Sequence, residues 1–265
     1  MREPGIAAPI IEKVHSESSF LPNHPVEIIE SGHFKDVPIM LGFTADEGIV
    51  FLTVMNVYLN QKLITPDQAI PYYVNIKDDE TRTNILNDIQ DIYYKNASTE
   101  NEGFINLVGD TWIYFDIYRT LVHQVKMSKS PVYLYRFSAD TSMNFFKKLS
   151  SLTTDYPGTS HGDELGYMFT NFLTPKQIIG EVEKKTIELT VKLWTHFAKS
   201  GDLTTGYACN QNNCKVKPVR EKKLNFVDVL NGELKVGVNP FRKTVEFWCK
   251  LYKLYHIKDY CSYFH

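Results

Sequence analysis

The stretch from Pro157 to Leu165, PGTSHGDEL, gathers a serine, a histidine, an aspartate and a glutamate between Ser160 and Glu164. Within it, Gly158-Thr159-Ser160-His161-Gly162 fits G-x-S-x-G, the pattern of a nucleophile elbow. An elbow needs a buried strand running into the serine and a helix running out, because the sharp turn between them exposes the hydroxyl. The residues ahead of Ser160, Thr153 to Gly158, are polar and interrupted by Pro157, so no strand is expected there. That architecture also runs serine, acid, histidine along the chain. Beyond the neighbouring His161, only His196, His256 and His265 follow Ser160, in segments that read as packed helix or tail. The residues therefore favour His161 as a general base over Ser160 as a nucleophile.

A histidine that moves a proton works best when a carboxylate holds one ring nitrogen and stabilises the imidazolium. Glu47, in Thr44-Ala45-Asp46-Glu47-Gly48, is the candidate. It directly follows an expected strand, and His161 lies on a loop after a second one. Both then sit past the carboxyl ends of parallel strands, where α/β sheets place their chemistry. Taken singly, Glu47 reads as a loop carboxylate and His161 as a structural histidine; chain order and placement pair them. Asp163 and Glu164 read as structural hydrogen-bonding groups, since a carboxylate near the histidine helps only when aimed at its free nitrogen. Asp110, in GDTWIYF, is read as structural too.

The elements that must carry these residues are legible in outline. Val37–Phe43, VPIMLGF, is a short continuous apolar run suited to a strand covered on both faces, with Pro38 at its start. Pro131–Phe137, PVYLYRF, is a second, aromatic and β-branched run. Between them Ile85, Ile89 and Ile92 form one helical stripe, and Phe104, Leu107, Val108, Phe115 and Val122 another. Strand, helical crossover and strand predict an α/β class with a largely parallel sheet. Thr174-Pro175 opens a long helix ending at Ser200-Gly201, with Ile187, Val191, Trp194 and Ala198 as its stripe, widened by Leu193 and Phe197. Residues 200–220 read as a polar loop. The tail from Phe241 resumes helical spacing through Val245, Trp248, Tyr252 and Tyr255, and reads as packing against the body rather than lying on a membrane.

Composition bounds the rest. With 265 residues, 43% hydrophobic and 23% charged, the chain can bury a sizeable core as one domain. Its 29 basic and 31 acidic side chains give a net charge of -2, so nucleic acid is excluded as an expected partner. Met1 to Ser18 lacks the apolar region of a signal peptide, and no run approaches the roughly 18 apolar residues of a membrane span. Of the four cysteines, Cys209 and Cys214 lie close enough in a polar loop for a small disulfide ring; with Cys249 and Cys261 they show no zinc spacing. Asn96-Ala97-Ser98 is a glycosylation sequon, meaningful only in a secretory compartment.

Three motifs in order, GHFKDVPIMLGFTADEGIVF, SHGDELGYMF and LWTHFAKSGDLT, resemble the carboxyl-terminal half of type-B carboxylesterases, the family of cholinesterases and insect carboxylesterases. The resemblance runs from about Pro9 to about Val229. It implies an α/β-hydrolase fold, Glu47 as triad acid, His161 as triad base, and Gly48 and Gly162 as small neighbours that let the loops turn. It implies small to medium apolar carboxylic esters as substrates, cleaved through an acyl-serine intermediate, and no cofactor. Phe51, Phe169 and Phe172 become candidates for an acyl pocket or for core. An elbow serine and an HGGG-type oxyanion loop, which the family keeps in its amino-terminal half, are not in this sequence. Residues 1–265 are therefore expected to form the carboxyl-terminal half of one hydrolase domain, whose missing amino-terminal half is its partner. Such a half-sheet alone is expected to self-associate through its bare edge. A secretory location follows if the full-length protein has a signal peptide. The rival class is a cholinesterase-like binding or adhesion protein that keeps the fold without the chemistry.

Overall fold

The structure, a computed structural model, describes residues 10–13, 16, 18–53, 65–70, 76–149, 153, 155–170, 179–204, 215–221, 223–240 and 244–254. In chain order the elements are α1 (Pro25–Glu30), β1 (Ile39–Thr44), α2 (Ile49–Thr53), α3 (Pro66–Ala69), α4 (Asp79–Tyr93), α5 (Glu100–Gly109), a π-helical turn (Asp110–Tyr114) and α6 (Phe115–Met127). They continue with β2 (Val132–Phe137), α7 (Leu165–Met168), α8 (Glu181–Ser200), β3 (Asn225–Leu230), β4 (Glu233–Val238) and α9 (Thr244–Leu254). The strands form one sheet in the order β1-β2-β3-β4. β1 and β2 pair in parallel, as do β2 and β3, and β4 closes the sheet antiparallel to β3. This is the mostly parallel α/β arrangement that the two apolar runs and their crossover imply.

Side chains alternate across the sheet and bury against helices on both faces. Val132 and Leu134 of β2, with Phe226 of β3, join the core built by α4, α5, α6 and α9. Tyr133 and Phe137 of β2, with Val227 and Val229 of β3, pack on the opposite side with Leu189 and Leu193 of α8. Phe104, Leu107, Val108, Phe115 and Val122 are all buried, as their spacing implies. Trp248 and Tyr252 of α9 are buried too, while Tyr255 lies outside the described residues.

Four readings of the sequence change. β1 is not covered evenly on both faces: its first four residues are half-buried and Val37 ahead of it is 42% exposed. Among the described residues no strand pairs with the far edge of β1, which leaves its apolar side chains partly open. Ile92 is exposed; α4 ends at Tyr93, whose buried ring takes the third place after Ile85 and Ile89 because its hydroxyl finds Asp110. On α8 the buried line is Thr186, Leu189, Thr190 and Leu193, whereas Val191 and Ala198 are exposed. Thr186 and Thr190 enter the core because each hydroxyl donates to the carbonyl four residues back, Val182 and Thr186 respectively, at 2.7 Å. That line starts at Glu181; Thr174 and Pro175 lie outside the described residues. Finally, β3 and β4 form a hairpin across Asn231-Gly232, a dipeptide that favours tight hairpin turns, in a region to which the sequence reading assigns no strands.

Cys249 is disulfide-bonded, and Cys209, Cys214 and Cys261 lie outside the described residues. Asn96 is exposed on the turn after α4. No described helix is long and apolar enough to cross a membrane. The two candidate stripes of α8 are distinguished by mutation. Leu193→Ala, at a position with no exposure, is expected to cost roughly 2–5 kcal/mol. Val191→Ala is expected to stay within about 1 kcal/mol, as surface substitutions do. Urea unfolding of the full-length protein measures both; equal losses would return Val191 to the core.

Candidate active site

Glu47 and His161 approach from the carboxyl ends of adjacent parallel strands. β1 ends at Thr44, and the chain stays tied to the sheet for one more residue through Ala45 N–H donating to the Phe137 carbonyl at 2.8 Å. It then turns, with Ile49 N–H donating to the Asp46 carbonyl at 3.1 Å, and α2 begins. Glu47 sits inside this turn, 3% exposed. Its Oε1 accepts from Thr44 N–H at 2.7 Å, and its Oε2 lies 2.6 Å from His161 Nδ1. Gly48 is required here by proximity rather than by backbone twist: a Cβ would stand 2.0 Å from the Ile105 carbonyl oxygen, so α5 packs directly on the turn. Gly162, beside the histidine, has φ of +80°, where a side chain is strained.

The loop bearing His161 is held from within by buried polar groups. Asp163, with no exposure, accepts at Oδ1 from Phe146 N–H (2.9 Å) and Lys147 N–H (3.2 Å). At Oδ2 it accepts from Ser160 N–H (2.8 Å) and the Asn144 amide (3.2 Å). Lys147 is buried; its ammonium pairs with Asp140 and donates to the Gly158 carbonyl at 2.8 Å, while Gly158 N–H returns to Asp140 at 2.9 Å. Thr159 links the two halves of the site. Its carbonyl accepts from Asp46 N–H at 3.0 Å, its N–H donates to the Asp46 carboxylate at 3.1 Å, and its hydroxyl donates to the Ala139 carbonyl at 3.0 Å. Asp46 therefore latches the histidine loop directly to the turn carrying Glu47.

The electrostatics follow from this placement. The hydrogen bond to Glu47 raises the pKa of His161 above its ordinary value, against partial burial that lowers it. The imidazole side chain is 55% exposed, and Nε2 has no hydrogen-bond partner among the described residues. Burial pushes Asp163 up to about 6 in spite of its N–H donors. Burial, and then the charge of Glu47, push Glu164 up to about 7; its Oε2 is buried without a hydrogen-bond partner among the described residues. Asp163 thus has the structural role expected of it, whereas Glu164 is not held by hydrogen bonds at that oxygen. Asp110 accepts from Tyr93 (2.8 Å) and Thr244 (2.6 Å), and Trp248 donates to the Tyr93 hydroxyl at 2.7 Å, so it braces α4, α9 and the π turn.

Ser160 has no exposed surface, and its hydroxyl has no hydrogen-bond partner among the described residues. A hydroxyl so enclosed and unattached to the imidazole is unlike one presented on an elbow. Phe51 packs edge-on against Trp112 with centroids 4.7 Å apart, Phe169 is 63% exposed, and Phe172 lies outside the described residues. The described residues hold no group of three or more His, Cys, Asp or Glu side chains suited to a metal ion. Asp46, Asp140, Lys147 and Tyr114 shape the site without having been singled out in the sequence. Asp46 has a signal, its place beside Glu47; Lys147 in FFKKL and Tyr114 inside a helical pattern have none.

Residues 4–248 match the model of the carboxylesterase family, and the chain belongs to that family. It is 23% identical to esterase B1 of Culex pipiens, covering 92% of this chain and 46% of that protein. It is 25% identical to juvenile hormone esterase of Tribolium castaneum, covering 91% and 45%. The crystal structure of juvenile hormone esterase from Manduca sexta, with OTFP covalently attached, superposes with a TM-score of 0.66 at 17% identity over 94% of this chain and 47% of that one. The fold is thus that of an α/β hydrolase. The chain spans about half the length of the relatives it matches.

The loop network makes a testable contrast. Asp163→Ala strands several buried N–H donors and is expected to destabilise by on the order of 3 kcal/mol. Ser160→Ala removes only an unpaired buried hydroxyl and is expected to be neutral or slightly stabilising. Thermal melting of the two variants measures the difference; a large loss in Ser160→Ala would reveal a partner for its hydroxyl.

Proposed function

We propose that this chain is the carboxyl-terminal half of a serine carboxylesterase and supplies two members of its Ser-Glu-His triad, Glu47 as acid and His161 as base. The observation that carries the reading is the 2.6 Å contact between His161 Nδ1 and a buried Glu47, at the ends of neighbouring parallel strands, with Nε2 left open. An ionised Glu47 makes Nδ1 the protonated nitrogen, which leaves Nε2 as the acceptor. Nε2 then takes the proton of a serine hydroxyl as that oxygen attacks an ester carbonyl, and returns it to the departing alkoxide. Water repeats the sequence on the acyl-enzyme. Glu47 remains ionised and stabilises the imidazolium.

The serine and the oxyanion donors are assigned to the amino-terminal half of the family's fold, outside this sequence. The edge of β1, which no described strand pairs, and its half-buried apolar residues support that half as the partner, since they offer both backbone groups and apolar surface to a further strand. The substrates assigned by family likeness are small to medium apolar carboxylic esters, and no cofactor takes part.

The test is steady-state hydrolysis of a p-nitrophenyl ester by the full-length protein. His161→Ala is expected to lower kcat by at least about 100-fold to 10,000-fold. Catalysis requires neutral imidazole, and Glu47 favours the protonated form, so the acid limb of kcat/KM is expected above the ordinary histidine value of 6.5. Glu47→Gln removes that cause, and the limb is expected to move down as activity falls. Full activity in His161→Ala would sink the assignment. Absence of turnover in a folded full-length protein would favour a cholinesterase-like binding or adhesion protein instead.

A further inference from the structure

The geometry points to Tyr114 as the residue that positions Glu47 against His161. Resting on the triad reading, it adds a positioning residue that lies outside the three family-like motifs. The Tyr114 hydroxyl lies within hydrogen-bond distance of three backbone groups of the acid's turn: the Thr44 carbonyl (2.9 Å), the Ala45 carbonyl (2.6 Å) and the Glu47 N–H (3.1 Å). A phenol has one proton to give and can accept in return. It therefore donates to one carbonyl at a time, with that of Ala45 the closer, and accepts from Glu47. The backbone of the acid is fixed by this oxygen, while its carboxylate is fixed by Thr44 N–H and His161.

The chain takes an irregular path to bring Tyr114 there. Tyr114 is the last residue of the π-helical turn between α5 and α6. A π turn adds a residue to the helical repeat and re-aims the side chains that follow. Asp110 anchors the start of this turn through Tyr93 and Thr244, and the Tyr114 hydroxyl anchors its end on β1. The ring itself is 5% exposed and meets Phe43 edge to face at 5.0 Å. Packing alone would be satisfied by phenylalanine. The hydroxyl is what reaches the turn, and nothing in the helical pattern of the sequence asks for one.

Tyr114→Phe isolates that hydroxyl. In the full-length protein with isotopically labelled histidine, an NMR titration of His161 is expected to give a lower pKa than in the wild type, because a loosened Glu47 no longer holds the imidazolium as well. Ester hydrolysis is expected to lose about tenfold to a hundredfold in kcat with little change in KM, as small misplacements of catalytic groups do. Tyr133→Phe is the control: it removes another buried hydroxyl, bonded to Asp202 at 2.7 Å on the other face of the sheet, and should leave the titration unmoved. An unchanged His161 titration in Tyr114→Phe overturns the inference whether or not the protein hydrolyses esters, and a wild type without turnover overturns the triad reading instead. Should Tyr114→Phe fail to fold, p-aminophenylalanine at position 114 carries the same test. Its weaker hydrogen bonds are expected to shift the titration in the same direction by less, and a wild-type titration would contradict the inference.

Discussion

A carboxylate buried at the end of a strand is costly unless both oxygens are used, since an uncompensated charge away from water costs several kcal/mol. Glu47 meets this constraint with one oxygen on the Thr44 N–H and the other on His161. The imidazole is therefore part of what makes the buried acid tolerable, and the acid is what sets the protonation of the imidazole. Each half of the pair is misplaced without the other. Much of the surrounding structure can be understood as the means of bringing two loops, 114 residues apart in sequence, within a single hydrogen bond of one another.

The sheet does the coarse positioning. Parallel pairing of β1 with β2, in register from Ile39 opposite Val132 to Thr44 opposite Phe137, ends both strands at the same level. Finer positioning comes from groups that act on the backbone: Asp46 on Thr159, Asp163 across its own loop, the Asp140–Lys147 pair on Gly158, and Tyr114 on the acid's turn. A loop so fully hydrogen-bonded loses little further entropy when it reaches a reacting geometry, which is the value of preorganisation in a site of this kind. Helices pack on both faces of the sheet, and His161 presents an exposed face beyond the carboxyl ends of its strands, next to a β1 edge that no described strand pairs.

What could be read in the sequence follows from how each residue acts. β1, β2 and the helices between them were legible because burial imposes a period on side chains. The pairing of Glu47 with His161 is legible through their place after strands and in motifs. The buried line on α8 was misjudged because Thr186 and Thr190 satisfy their hydroxyls inside the helix and so pass as core. The β3–β4 hairpin went unassigned although Asn231-Gly232 marks its turn. Its edge strand, with Val236 and Val238 each 46% exposed, carries little of the hydrophobic pattern that announces a strand. Tyr114 and Lys147 were illegible for a different reason. Tyr114 works by meeting backbone groups about seventy residues away, and Lys147 by meeting Asp140 and the Gly158 carbonyl across a loop; no hydrophobic period encodes either meeting.

On the proposed function, His161 serves a serine supplied from outside this chain while its neighbour Ser160 is a bystander. Labelling the full-length protein with a fluorophosphonate and locating the adduct by peptide mass spectrometry tests this most directly. One modified serine outside the present sequence is expected, with labelling strongly slowed by His161→Ala and unaffected by Ser160→Ala. Stoichiometric modification of Ser160 itself would contradict it.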